Sequence, residues 1–82
     1  MTKYSPLSRW LRGIKDSSAR LTFAQIETIL GDSLPASARK YSVWWANEKT
    51  LTTHVQCKSW LDAGFETQHV DLAQQTLDFQ RV

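Results

Sequence analysis

Eighty-two residues, 41% of them hydrophobic, make one small domain spanning residues 1–82, with a modest core. The single cysteine, Cys57, excludes an internal disulfide and a cysteine-based zinc site, and no apolar run approaches the ~18 residues of a membrane span. A formal net charge of only +2 does not announce nucleic acid, and Met1-Thr2-Lys3-Tyr4 opens no apolar signal core, so the expectation is a cytoplasmic protein with no membrane partner.

The charge is polarised along the chain. Residues 1–20 carry Lys3, Arg9, Arg12, Lys15 and Arg20 against Asp16, whereas residues 51–82 carry Lys58 and Arg81 against Asp62, Glu66, Asp71 and Asp78. A basic end suits phosphate, and a solvated helix face is the plain alternative.

Ser5-Pro6 predicts a helix start, with Ser5 as N-cap and Pro6 at the first helical position. Leu7, Trp10, Leu11 and Ile14 then recur at i, i+3, i+4, i+7, one apolar stripe that leaves Arg9 and Arg12 to face water or a partner. Gly13 and Asp16-Ser17-Ser18 close the helix. Arg20-Leu21-Thr22 reads as a very short strand. Thr22-x-x-Gln25 has the form of a capping box opening a second helix, whose buried face is Phe23, Ile26, Ile29 and Leu30 and whose stop is Gly31.

After the turn at Asp32-Ser33, Pro35 predicts a third helix over residues 35–47. Its wheel places Leu34, Ala38, Tyr41 and Trp45 inward, Ser37 and Trp44 at the margin, and Arg39, Lys40, Val43 and Asn47 outward. Tyr-Ser-Val-Trp-Trp is also β-prone. A fourth helix, capped by Thr50 or Thr52, runs to Ala63-Gly64 with Cys57, Trp60 and Leu61 inside. His54 and Lys58 are i, i+4 neighbours toward its edge. Phe65 to Leu72 is strand-like without clean alternation, which suggests a bulge. Thr76 to Val82 alternates with Leu77 and Phe79 on one side, completing a C-terminal hairpin.

The expected fold class is therefore α+β: a small winged-helix-like domain of three to four helices, a short strand that pairs with the terminal wing, and a C-terminal β-hairpin. The fourth helix is an insertion, or the third and fourth form one bent unit.

The strings LTFAQIETILGDSLPASARKYSVWWANEK, HVQCKSWLDAGFETQHVDL and TLDFQRV resemble a small, widespread, uncharacterised prokaryotic domain family. Its pattern runs L-T-F-x-x-I-E-x-I-L-G-x-x-L-P-x-S-A-R, W-W-A-N, H, W-L-x-A-G, V-D-L. The resemblance covers nearly the whole chain. It implies that Ser37, Arg39, Trp44, Trp45, Asn47, His54 and Trp60 occupy family motif positions, and it assigns no activity to them.

Catalysis finds little support. Cys57 lies three residues from His54, but no oxyanion loop or glycine elbow accompanies them. His54, Cys57 and His69 lack paired metal-ligand spacing, the carboxylates are scattered, and no glycine-rich phosphate loop exists. The expectation is a non-enzymatic binding domain with no metal and no cofactor.

DNA is the first expected partner. In a helix-turn-helix the helix after the tight turn enters the major groove, where Arg39, Lys40 and Asn47 would reach base edges. Ser37, Lys49, Thr50, His54 and Lys58, with Arg9 and Arg12, would hold phosphates or flank the contact. The acidic wing opposes this, and Arg39 could instead pair with an acid of the hairpin. The alternative is a protein–protein module using Trp44 and Arg39, a composition found at binding hot spots. A smaller possibility is stacking of the Trp pair on a single-stranded base.

Overall fold

The computed structural model describes residues 3–48 and 55–82. Four α-helices, α1 (Ser5–Gly13), α2 (Phe23–Leu30), α3 (Ala36–Lys40) and α4 (Val55–Leu61), accompany three strands, β1 (Ser18–Thr22), β2 (Phe65–Asp71) and β3 (Thr76–Arg81). The strands form one antiparallel sheet in the order β1-β3-β2. The hairpin strand β3 is central, so the short first strand does pair with the C-terminal hairpin.

Alternation decides which face of the sheet the helices cover. Leu21 pairs with Leu77, and Ala19 pairs with Phe79, which pairs in turn with Thr67. Leu21, Leu77, Phe79, Phe65 and Thr67 are all buried, whereas Arg20 and Gln68, both opposite Asp78, are exposed. That is the period-2 pattern of a sheet with one wet face. The helices bury their stripes against the apolar face: Leu7 and Leu11 from α1, Phe23 and Ile26 from α2, Cys57 and Trp60 from α4.

Local chemistry fixes the element ends. The Thr22 side chain accepts from Gln25 N at 3.0 Å, and the Gln25 side chain accepts from Thr22 N at 2.8 Å, the reciprocal capping box expected from the spacing. Gly31 closes α2 in the left-handed region at φ 73°, its N–H bonded to Glu27 O. The expected bulge lies between Gln68 and Asp71, with His69 at φ 54°. At the first helix, Tyr4 is the N-cap and Ser5 already lies inside the helix, one residue earlier than expected. Ser5 therefore does not act as the cap.

The larger correction concerns residues 35–47, which do not form one helix. Helix α3 stops at Lys40, Tyr41 is extended (φ −128°, ψ 120°), and a single 3-10 turn follows at Ser42–Trp45. The aromatic and β-branched run resists helical continuation, and beyond the break Trp45 is buried in the core. Trp45 is stacked on Phe23 (centroids 5.0 Å) and on Trp60 (5.9 Å), and its Nε1 donates to Ala38 O at 2.8 Å. The break that turns Trp45 inward turns Tyr41 outward. Tyr41, expected in the core, is 58% exposed.

Candidate functional site: a cationic cleft between α1 and α4

Two of the three side chains expected to read bases from residues 35–47, Arg39 and Asn47, are held by hydrogen bonds within the domain. Arg39 donates from Nη1 and Nη2 to the two carboxylate oxygens of Glu27 at 3.0 and 3.2 Å. The partner is an acid of α2, not of the hairpin. Leu34 N also donates to Glu27 at 2.8 Å. With the Arg39 bond as the main cause and the Leu34 N–H next, the Glu27 carboxyl is held below the ordinary carboxylate range. Arg39 thus clamps the α2–α3 turn, with its guanidinium 5.9 Å from the Phe23 ring centroid.

Asn47, expected outward, faces the β2 backbone. Its Oδ1 accepts from Trp60 Nε1 and Thr67 N, both at 3.0 Å, and its Nδ2 donates to Thr67 O at 3.0 Å. The amide supplies Thr67 with the pair of bonds that a neighbouring strand would supply, so it occupies this part of the sheet edge. Trp44 is half-buried, edge-on to Trp45 (4.6 Å) and Tyr4 (5.9 Å). Ser37 is half-buried, with its carbonyl accepting from Tyr41 N. Only Lys40 of the expected base-reading set stays exposed without a partner among the described residues. Lys49 and His54, and the capping positions Thr50 and Thr52, lie outside the described residues.

The structure gathers the remaining candidates elsewhere. Arg9, Arg12 and Lys58 line a cleft of about 400 Å³ between α1 and α4, together with Ser5, Ser8, Val55, Ser59 and Asp62. Two stripes build it. Ser5, Ser8, Arg9 and Arg12 are i, i+3, i+4, i+7 on α1; Val55, Lys58 and Ser59 share one face of α4, and Asp62 continues that spacing in the turn just past its end. Side chains at that spacing share one helix face. The apolar stripes of α1 and α4 hold these faces in place, because Leu7, Leu11, Cys57 and Trp60 are all buried in the common core.

The electrostatics of this cleft differ from those of the other arginines. Arg20 meets Asp78 at 2.7 Å, Arg39 meets Glu27, and Arg81 donates to the Ile14 and Asp16 carbonyls. Among the described residues, Arg9 and Lys58 have no acid partner, and Arg12 reaches only the Asp62 carbonyl oxygen, at 3.4 Å. Arg9, Arg12 and Lys58 are exposed. The acids of the wing are in part committed: Asp78 takes both Arg20 and His69, and Asp71 accepts from Gln74 N at 2.9 Å. Arg20 is the main cause that holds the Asp78 carboxyl down to about 2.

Of the Cys57–His54 pair, which found little support in the sequence, His54 lies outside the described residues. Cys57 itself is buried, with its sulfur 3.7 Å from Glu48 O. Sequence reading named Arg9, Arg12 and Lys58 as separate phosphate contacts but missed Ser8, Asp62 and Val55. The signal was present on α1, where Ser5, Ser8, Arg9 and Arg12 repeat at the same spacing as the apolar stripe.

Residues 4–82 match the model of a family described as a domain of unknown function (DUF7662). No curated protein and no solved structure matches the chain.

Proposed function

We propose that this chain, which belongs to that family of domains of unknown function, is a non-enzymatic nucleic-acid-binding domain that contacts the phosphate backbone through the α1/α4 face. The observation that carries the reading is the convergence of Arg9, Arg12 and Lys58, without acid partners among the described residues, on one cleft. Cations left exposed together on a rigid two-helix platform are what phosphate binding requires.

The element order supports the same reading. In a winged helix the helix that enters the groove is the one immediately before the wing hairpin. Here that position belongs to α4, directly ahead of β2 and β3, and not to the expected segment 35–47. Under this winged-helix reading, α3 and the 3-10 turn are an elaborated turn between the second and third helices. Lys58 of α4 then faces DNA, and Arg9 and Arg12 of α1 touch the flanking backbone.

A fluorescent mixed-sequence duplex titrated over a salt series tests this. Three phosphate contacts give a log–log slope of about −2.7, so affinity falls about 40-fold between 50 and 200 mM salt. The double variant Arg9→Ala/Lys58→Ala should flatten the slope by about two contacts. Absence of binding at the lowest salt refutes the reading.

One observation favours a protein partner instead. Tyr41 and Val43, 58% and 70% exposed, stand together at the α3 corner beside Lys40. An exposed aromatic next to a cation has hot-spot composition. In that case Tyr41→Ala, and not Arg9→Ala, abolishes binding to the partner.

A further inference from the structure

Three cations alone would accept any phosphate. The α1/α4 cleft carries further chemistry: a hydroxyl at Ser8, an exposed carboxylate at Asp62 and the methyl groups of Val55. Its volume of about 400 Å³ is well beyond what one phosphate group fills and lies within the ~300–1,000 Å³ of pockets that enclose small molecules.

Within this backbone-binding face Asp62 is the one point where a passing phosphate meets a like charge. An internal phosphodiester is disfavoured at that point, while Arg9, Arg12 and Lys58 still hold the phosphates beside it. A single nucleotide at a free end has the opposite polarity along its length. Its phosphate dianion suits Arg9, Arg12 and Lys58, with Ser8 Oγ as a further donor. Its sugar hydroxyls or base amino group can donate to the Asp62 carboxylate, and its apolar faces can rest on Val55. A terminal phosphomonoester also carries more charge than an internal diester, so it gains more from three cations.

We propose that the cleft seats a nucleoside monophosphate unit with a terminal phosphate, either free or at the end of a strand. This rests on the nucleic-acid reading of the same face and specifies what the face recognises.

The test uses the full chain and end-labelled oligonucleotides of one sequence, single-stranded and duplex, each with a 5′-phosphate or a 5′-hydroxyl. The expected result is at least tenfold tighter binding of the phosphorylated ends. Free nucleoside monophosphate should compete if the unit alone suffices; failure to compete, with end preference kept, assigns the ligand to strand ends. Arg9→Gln/Lys58→Gln should abolish the end preference. Asp62→Asn should narrow it by strengthening the hydroxyl-ended substrate, a gain that mere loss of structure would not produce. Equal binding of phosphate and hydroxyl ends, with salt-dependent duplex binding intact, overturns this proposal and leaves the backbone-binding reading standing. No binding of any oligonucleotide overturns both. Competition by a phosphoserine peptide as strong as by the nucleotide also overturns it, because the cleft would then recognise phosphate without the nucleoside.

Discussion

Replacing Asn47 with alanine should unfold this protein more readily than its half-exposed position suggests. The Asn47 side chain satisfies three backbone or indole groups: Trp60 Nε1–H, Thr67 N–H and Thr67 C=O. The Thr67 hydroxyl has one proton and a second acceptor in Trp45 O, so it keeps a partner after truncation. Trp60 and Thr67 are buried, at 0% and 7% exposure, so their two N–H donors lose their acceptor in a site poorly reached by water. Each orphaned buried donor costs about 1–3 kcal/mol, and partial access of water through the Asn47 site favours the lower part of that range. The sum is about 2–4 kcal/mol. A chain of this length has about 4–12 kcal/mol to lose, at the usual stability per residue. Urea denaturation should show a lower midpoint with an unchanged slope, and the Tm should fall by at least about 8 °C. Asn47→Asp keeps the acceptor but sets a carboxylate oxygen against Thr67 O, so it should also be destabilised and should recover as the pH falls and the new acid is protonated. A loss below about 0.5 kcal/mol for Asn47→Ala would refute the hub assigned to this side chain.

Thr22→Ala removes the reciprocal cap of α2 and should cost about 1 kcal/mol in chemical denaturation. Gly31→Ala meets no steric obstacle, but φ 73° is a left-handed position, so a loss of about 1 kcal/mol is expected in the same assay. The Asp78 carboxyl, held to about 2, has a folded-state pKa below its unfolded value, so its contribution is full above the unfolded pKa and is lost as pH falls through the folded one. After screening at the exposed Arg20 end, that is about 1 kcal/mol, and an Asp78→Asn variant should lose the matching part of the acid slope between about pH 4 and pH 2 in a denaturation series. Arg39→Ala should lower stability, because it opens the Glu27 clamp, yet leave the salt slope of oligonucleotide binding unchanged by titration.

Elements with a local cause were legible in the sequence. The stripe Leu7, Trp10, Leu11 (Ile14, expected to continue it, is extended just past the helix end), the Thr22–Gln25 box, the Gly31 stop, the bulged β2 and the alternating β3 all need only neighbours within a turn or a strand. The segment 35–47 was misread because its conformation is set by distant partners. A wheel placed Tyr41 with Trp45, but the stacking of Trp45 between Phe23 and Trp60 forces a break that separates them. Asn47 and Arg39 looked offered to a ligand because their partners, Thr67 and Glu27, lie 20 and 12 residues away. The cleft was half legible. Arg9 and Arg12 were placed outside the core stripe of α1, and Lys58 was placed at the edge of α4. That the two polar stripes face one another follows from the packing of α1 on α4, which no local pattern specifies.

Amide and side-chain chemical-shift mapping with a duplex oligonucleotide tests the central claim most directly. Titration should move the resonances of Ser8, Arg9, Arg12, Lys58 and Asp62 together and leave Tyr41 and Val43 in place. Shifts confined to Lys40, Tyr41 and Val43, or none at all at low salt, would contradict the assignment of the α1/α4 cleft as the nucleic-acid site.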